Sequence, residues 1–252
     1  MAEEGISLID EHWYKRSFAS QYGIVYGHRS VEAAAREAAF AVQQLGIAGS
    51  ARALDLCCGN GRHMGHLLLR TPHVTGFDYS AELLASAREA LGPEAALVRG
   101  DMRDLPFEGM FDAVTSFFTS FGYFMVDAEN ARVIEQLSRA MKPGGRFLID
   151  HMNAASVQKT LVPESTREYK EYRIDERRWL DTARRRVNKV TKVWRDGESL
   201  GEWAESVRLY EVEEFRSLLS QGRLLVDRVF GGYDGSAVDV SQPRMIVVGH
   251  KE

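Results

Sequence analysis

Cysteine is nearly absent. Cys57 and Cys58 are the only two, and they are adjacent. An adjacent pair cannot staple a scaffold, and no second pair stands at zinc-finger spacing, so a disulfide framework and a structural zinc are both excluded. Vicinal cysteines in an apolar run read as core residues in a reducing compartment. Long hydrophobic runs are missing too: nothing approaches the ~20 apolar residues of a membrane span. Residues Met1 to Gly5 are acidic and lead into no apolar segment, which argues against a secretory signal and for a cytosolic setting. Proline (6) and glycine (22) are not in excess, which excludes collagenous and low-complexity chains. Charge of one sign does not dominate either. Against 36 Asp and Glu stand 32 Lys and Arg, a net of −4, which is no general polyanion binder. What is present is 252 residues, 44% hydrophobic and 27% charged. That length allows one to two domains and burial of about 70–75% of the unfolded surface without a staple.

Residues 1–29 are aromatic and irregular, with Trp13, Tyr14, Phe18, Tyr22 and Tyr26. Ser30 then caps a helix to about Leu45, closed by Gly46 and Gly49. Strands and helices alternate from there. Ala51–Cys57 is a continuous apolar run, the mark of a strand buried on both faces. Arg62–Arg70 reads as a helix and His73–Phe77 as a strand. Ser80 caps a helix ending near Gly92, and Ala95–Val98 is a strand. Phe111–Phe118 is a strand, Asp127 caps a helix through Met141, and Arg146–Asp150 is the next strand. The alternation implies an α/β fold, a doubly wound, mostly parallel sheet. After Asp150 the rhythm stops. Asp196-Gly197 marks a hairpin between Arg186–Trp194 and Leu200–Tyr210. A helix over 211–221 follows, then strand-like runs at Leu224–Val229 and Met245–Val248. The expected organisation is an arm over 1–29, a main domain over 30–154 and 210–252, and an antiparallel β cap over 155–209, inserted before the last helix.

Four stations carry chemistry. The first is Leu54-Asp55-Leu56-Cys57-Cys58-Gly59-Asn60-Gly61-Arg62, a buried strand running through Gly-x-Gly into a helix. Glycine lets a ligand approach the backbone closely, and the helix start offers free N–H groups. A dinucleotide fingerprint needs a third glycine three positions on, where this chain has Met64. The second is Asp78, 23 residues after Asp55 at the end of the second strand, where a carboxylate can accept both hydroxyls of a ribose. The third is Gly100-Asp101-Met102, where Asp101 can accept from an exocyclic amine and Met102 can flank a flat ring. In the fourth, five aromatics fall within eight residues, Phe117 to Phe124, at the carboxyl end of a central strand, the ligand-binding edge of open α/β sheets.

In this order the stations resemble the class I S-adenosylmethionine-dependent methyltransferases, strongly over about residues 30–150. The resemblance implies the Rossmann-like, seven-stranded sheet of that family, with Met245–Val248 as its antiparallel last strand. It also implies S-adenosyl-L-methionine as cofactor and S-adenosyl-L-homocysteine as product. Asp55, Gly59 and Gly61 would hold the methionine part, Asp78 the ribose, and Asp101 and Met102 the adenine. Phe117 would lie at the sulfonium. Tyr22, Arg29 and Tyr79 count among the cofactor positions, Arg29 as a partner for the carboxylate. A narrower resemblance is to N-methyltransferases that tailor antibiotic sugars and amino-acid-derived natural products, of the aminosugar and lincosamide type. It rests on Gly100-Asp101-Met102-Arg103-Asp104, on Phe118-Thr119-Ser120-Phe121-Gly122-Tyr123, on the aromatic arm and on the cap. In such enzymes an N-terminal aromatic and the position matching Tyr123 face the acceptor. Tyr14, Tyr22 and Tyr123 are therefore the candidates for positioning a small-molecule acceptor, beside Phe117. The arm is expected to bury its rings only as it closes over a filled cleft.

Rival readings remain. Residues 167–195 hold eleven Lys or Arg against five Asp or Glu, a net of +6, with Tyr169, Tyr172, Trp179 and Trp194 interleaved. An RNA or protein methyltransferase would use such a patch, whereas a cap has a solvent face that carries Lys and Arg in any case. The solvent-face reading is preferred, which makes nucleic acid an improbable partner; a homo-oligomer is compatible with the sequence. A non-catalytic S-adenosylmethionine-binding module is the third reading. His63 and His66 have no third metal ligand beside them, and no metal is expected. His151 stands at the ligand-bearing edge as a further acceptor contact.

Overall fold

The computed structural model describes residues 8–18, 22–27 and 29–252. The first seven residues, read above as lacking signal character, lie outside the described residues, as do 19–21 and 28 of the arm. Within the arm, α1 (Trp13–Ser17) and α2 (Tyr22–Val25) are short helices where irregular chain was expected. Trp13 and Tyr14 are already buried, at 1% and 5% exposure, by protein contacts alone.

The main body follows the alternation in the sequence. Its elements are α3 (Val31–Leu45), β1 (Ala53–Leu56), α4 (Arg62–Leu68), β2 (Val74–Asp78), α5 (Ala81–Leu91), β3 (Ala96–Arg99), β4 (Phe111–Ser116), α6 (Asp127–Ala140) and β5 (Met141–Met152). Then come α7 (Ala154–Thr160), the cap strands β6 (Glu164–Tyr169), β7 (Tyr172–Asp181), β8 (Arg186–Arg195) and β9 (Glu198–Arg208), and finally α8 (Val212–Gln221), β10 (Leu224–Phe230) and β11 (Arg244–Lys251). Ser30 and Ser80 cap as expected, accepting from the Ala33 and Leu83 amides. Asp127 does not: it is the first residue of α6, Val126 precedes it as the cap, and no side chain closes that end.

The seven-stranded sheet has the order β10-β11-β5-β4-β1-β2-β3. β1 pairs parallel with β2 and β4, β2 with β3, and β4 with β5, while β11 runs antiparallel to β5 and β10. Both faces are covered. Phe40, Met64 and Leu67 pack on one side against Val74, Leu148 and Ile246, and Ile134, Leu137, Phe215 and Leu219 pack on the other against Val114, Phe147 and Val247. Burial on both faces is why β1 reads as a continuous apolar run. With parallel strands, the carboxyl ends of β1, β2, β3, β4 and β5 open on one edge, so the four stations converge there.

The cap is a separate antiparallel sheet in the order β6-β7-β8-β9. The Asp196-Gly197 turn joins β8 to β9 with φ 52° and 84°, the primed-turn geometry its sequence predicts. β6 and β7 had no individual signal in the sequence: β6 alternates between exposed and partly buried polar positions, and β7 is partly buried along nearly its whole length, so neither shows a clean apolar period.

Candidate functional site

A cleft of about 560 Å³ lies between the carboxyl edge of the sheet, the cap and the arm. Tyr14, Tyr22, Arg29, Asp55, Gly59, Asp78, Tyr79, Asp101, Met102, Phe117 and Tyr123 all line it. Gly61 does not. It starts α4 at φ 77°, and a Cβ there would lie 2.7 Å from Leu91, so its requirement for glycine comes from the turn and from the packing of α5.

The sheet side of the cleft is acidic. Asp55 is 1% exposed; its Oδ1 accepts from the Thr115 hydroxyl at 3.0 Å, and its Oδ2 has no partner among the described residues. Burial pushes Asp55 up to about 7, against the opposing bond from Thr115. Asp78 takes the Gly59 amide at 2.9 Å and the Ser80 amide at 2.8 Å, and burial raises it despite these bonds. It thereby ties the glycine loop to the end of β2 while keeping lone pairs for a ligand. Burial works to raise Asp101, but bonds from the Arg103 guanidinium outweigh it and hold Asp101 low. The unpartnered Asp55 oxygen suits a cationic donor, and the carboxylates closing β1, β2 and β3 suit an ammonium, a ribose and an exocyclic amine in turn. The donor set therefore fits S-adenosylmethionine.

Arg103 went unassigned in the sequence although it stood in the quoted motif. It donates to Asp101, to Glu129 and, at 3.1 Å, to the Tyr14 hydroxyl. Tyr14 thus belongs to the Asp101 end of the cleft, edge-on to Tyr79 at 5.7 Å. Tyr22 and Tyr123 lie toward the cap: Tyr22 is 4.8 Å from the Tyr26 ring, and Phe18 stacks on Tyr123 at 5.4 Å. Burial raises all three phenols, so each stays protonated at neutral pH. Phe117 stacks on His63 at 4.1 Å, and the His63 ring meets Glu37 at 2.7 Å. His151 does not reach the cleft. It is fully buried beside Tyr210 and Phe215, and desolvation pushes it down to about 4.

Three non-glycine residues of the cleft hold left-handed backbone: Cys57 (φ 61°), Phe118 (φ 54°) and Thr119 (φ 60°). Such positions cost about 1–3 kcal/mol each and persist only where the surroundings over-determine them. Asp150, at the end of β5 and fully buried, supplies that for Phe118 and Thr119. It accepts the Phe118 amide on its carboxylate at 2.9 Å and the Thr119 amide on its carbonyl at 2.8 Å. Arg244 and Tyr233 hold its carboxylate from the other side, at 2.6 and 2.9 Å. The Arg29 guanidinium lies 4.2 Å from the centre of the Phe118 ring.

The cap side is charged. Register aligns Arg178, Lys189 and Glu205 across β7, β8 and β9, and Glu176 lies two residues back on β7. Arg178 bonds Glu176 at 2.5 Å, Lys189 bonds Glu205 at 2.7 Å, and Tyr26 joins Glu205 and Lys189. With Arg167 these residues line the cleft. The solvent-face reading of 167–195 fails for Arg167, Arg178, Lys189 and the buried Arg186; it holds for exposed positions such as Lys170, Arg173 and Arg195. A count of charges along a strand cannot say which face each one takes.

A family model described as a methyltransferase domain matches residues 53–145. A demethylmenaquinone methyltransferase of Clavibacter sepedonicus is 31% identical over 180 residues, covering 66% of this chain and 68% of that protein. The chain belongs to the class I S-adenosylmethionine-dependent methyltransferase family. Another relative, a dTDP-3-amino-3,4,6-trideoxy-alpha-D-glucopyranose N,N-dimethyltransferase of Streptomyces venezuelae, is 34% identical over 97 residues, 38% of this chain and 40% of that protein. The chain thus spans about two fifths of the aminosugar enzymes it matches. The solved CcbJ methyltransferase of Streptomyces caelestis superposes with a TM-score of 0.79 at 20% identity, over 93% of this chain and 98% of that one, which is a likeness of fold.

Proposed function

We propose that this chain transfers a methyl group from S-adenosylmethionine to the amine of a small polar acceptor, of the aminosugar kind met in antibiotic biosynthesis. One observation carries the reading: the cap turns Arg178, Lys189, Glu176 and Glu205 inward, toward the cleft. Such a wall offers hydrogen bonds to hydroxyls and amines. It would be costly to desolvate against the apolar tail of a quinone, because charges lose hydration that such a tail does not replace. Of the two acceptor chemistries named among the relatives, the sugar amine is the one it suits.

Asp55 suits the ammonium of the cofactor, Arg29 its carboxylate, Asp78 the ribose hydroxyls, and Asp101, Met102 and Tyr79 the adenine. Bound there, the cofactor supplies a methyl group on a good leaving group. The protein's task is then positioning, worth about 7–11 kcal/mol in the best intramolecular cases. Phe117, Tyr22 and Tyr123 wall the reacting region and exclude water. Ring faces also favour a sulfonium by about 0.5–2 kcal/mol each. The same low polarity favours a neutral amine, with its lone pair free, over an ammonium. Tyr22 and Tyr123 stay protonated, so they orient the acceptor by hydrogen bonding and do not act as bases.

Incubation with methyl-labelled cofactor, a dTDP-3-amino-dideoxyglucose, a demethylmenaquinol and transfer RNA tests this directly. Label on the sugar nitrogen with formation of S-adenosylhomocysteine is expected. Label on the quinol or the RNA, or none on any amine while the cofactor binds, overturns the reading.

A further inference from the structure

Arg186, at the start of β8, is 2% exposed and has no ion-pair partner among the described residues. A buried cation without an ion-pair partner is expensive unless its donors are hydrogen-bonded. Here every nitrogen of the guanidinium is used. Nε donates to the Ser206 hydroxyl at 2.8 Å and Nη2 to the Ser206 carbonyl at 2.7 Å, both within the cap. The other bonds leave the cap. Nη2 reaches the carbonyls of Gly122 at 3.1 Å and Tyr123 at 2.9 Å, and Nη1 reaches that of Phe124 at 2.9 Å. These are three successive carbonyls of the segment that carries the Tyr123 ring into the cleft.

Each of those carbonyls also has a second donor, and each donor comes from a different element. The Arg208 amide at the end of β9 bonds Gly122, at 2.9 Å. The Asn130 amide group on α6 bonds Phe124, at 2.9 Å. The Trp13 indole of the arm bonds Tyr123, at 3.2 Å. Trp13 also meets the Tyr123 ring edge-on at 5.0 Å. Cap, main body and arm therefore meet on one tripeptide, and Arg186 is the group that touches all three of its carbonyls.

We infer that Arg186 is a positioning residue for methyl transfer: it fixes the Gly122–Phe124 backbone so that cap, acceptor segment and arm close on the cleft as one unit. This rests on the acceptor reading above only for its kinetic arm. Lysine cannot replace the fork, having three donors on a single nitrogen where arginine spreads five over a rigid plane.

Hydrogen exchange with S-adenosylhomocysteine bound supplies the readout that needs no acceptor. In Arg186→Lys, exchange over residues 8–18 and 117–126 should rise about tenfold or more while β1 and β4 stay protected. Affinity for S-adenosylhomocysteine should stay within about threefold. With the dTDP-amino sugar, kcat should fall about 10²-fold, the scale of a small misplacement, with a smaller change in KM. Arg186→Met keeps the bulk and removes every donor, and should lose more. Should that variant not fold, Trp13→Phe takes its place. It removes one donor from the same Tyr123 carbonyl, and its effect on arm exchange should be non-additive with that of Arg186→Lys. Unchanged exchange in the arm, equal loosening of β1 and β4, or additive effects overturn the inference. A wild-type protein that leaves the sugar unmethylated defeats the acceptor reading alone and leaves the exchange data to decide on Arg186.

Discussion

Asp55 is held in a state that costs the fold something and serves the cleft. Its folded pKa, about 7, lies above the ordinary carboxylate value of 3.8, with burial as the main cause. The folded chain therefore holds this proton more tightly than the unfolded chain. The site's contribution to stability is intact below the ordinary value, declines as pH rises toward about 7, and is fully lost above that. Asp55→Asn keeps an oxygen for the Thr115 hydroxyl and removes the charge. It should raise the melting temperature at pH 8 by an amount corresponding to at most a few kcal/mol, and change little at pH 4. Calorimetric binding of S-adenosylhomocysteine should move the other way. Wild-type affinity should weaken as pH falls through about 7, because an ammonium needs the ionised carboxylate, whereas the Asn variant should bind weakly at every pH. Equal affinity of the two proteins at pH 8 would remove Asp55 from the cofactor site. The sequence made Asp55 legible through its spacing to Gly59; its bare oxygen follows from what surrounds it.

At the scale of elements, the arm is more than a lid. Trp13 donates to the Tyr123 carbonyl, Tyr14 accepts from Arg103, and Ser17 donates to the Ala204 carbonyl of β9 at 2.5 Å. Its helices therefore bridge the Asp101 end of the cleft and the cap. Tyr14→Phe removes one bond to a charged group, worth about 1.5–3 kcal/mol, and should weaken S-adenosylhomocysteine binding modestly while retaining turnover. Tyr14→Ala also removes a buried ring, a loss of about 3–5 kcal/mol, and should lower the melting temperature as well as the rate. Deleting residues 1–26 should leave the seven-stranded sheet folded, by far-ultraviolet circular dichroism, and abolish methyl transfer. A truncated protein that turns over at the full-length rate would show the arm to be dispensable. The five aromatics announced the arm's importance in the sequence. Where each ring goes was not legible, because the partners Arg103, Tyr79 and Tyr123 lie 65 or more residues away along the chain.

For the whole molecule, the distribution of charge matters more than the net value. The segment 167–195 carries +6 and the remainder −10. Part of that positive charge is turned inward against Glu176 and Glu205, and Arg185 is spent on Glu214. The outer cap face keeps Arg173 and Lys192 against Trp194, at 5.0 and 4.3 Å. A polyanion would meet that small patch and then repulsion from the acidic body. Filter binding should therefore retain transfer RNA only weakly, with loss of about 10³-fold or more between low and physiological salt if several phosphates are engaged. Submicromolar, structure-selective retention at physiological salt would move the macromolecular reading ahead of the small-molecule one.

The sequence by itself determined the parallel sheet, the order of its four ligand-bearing stations and the cofactor class they suit. The sheet and the order of the stations rest on local chemistry: continuous apolar runs, serine caps, glycines at a tight turn, and a carboxylate closing a strand; the cofactor class is what the resemblance of those stations to the family implies. Only the tertiary structure decided that Gly61 packs against α5 while Gly59 faces the cleft, that Tyr14 belongs to the Asp101 end, and that His151 is core. The tertiary structure likewise decided which basic residues of the cap face inward and that Arg186 grips the Tyr123 segment. In an antiparallel sheet successive side chains alternate faces, and register between strands chooses which face meets the cleft. That choice is made by partners distant in the chain, so no local pattern carries it.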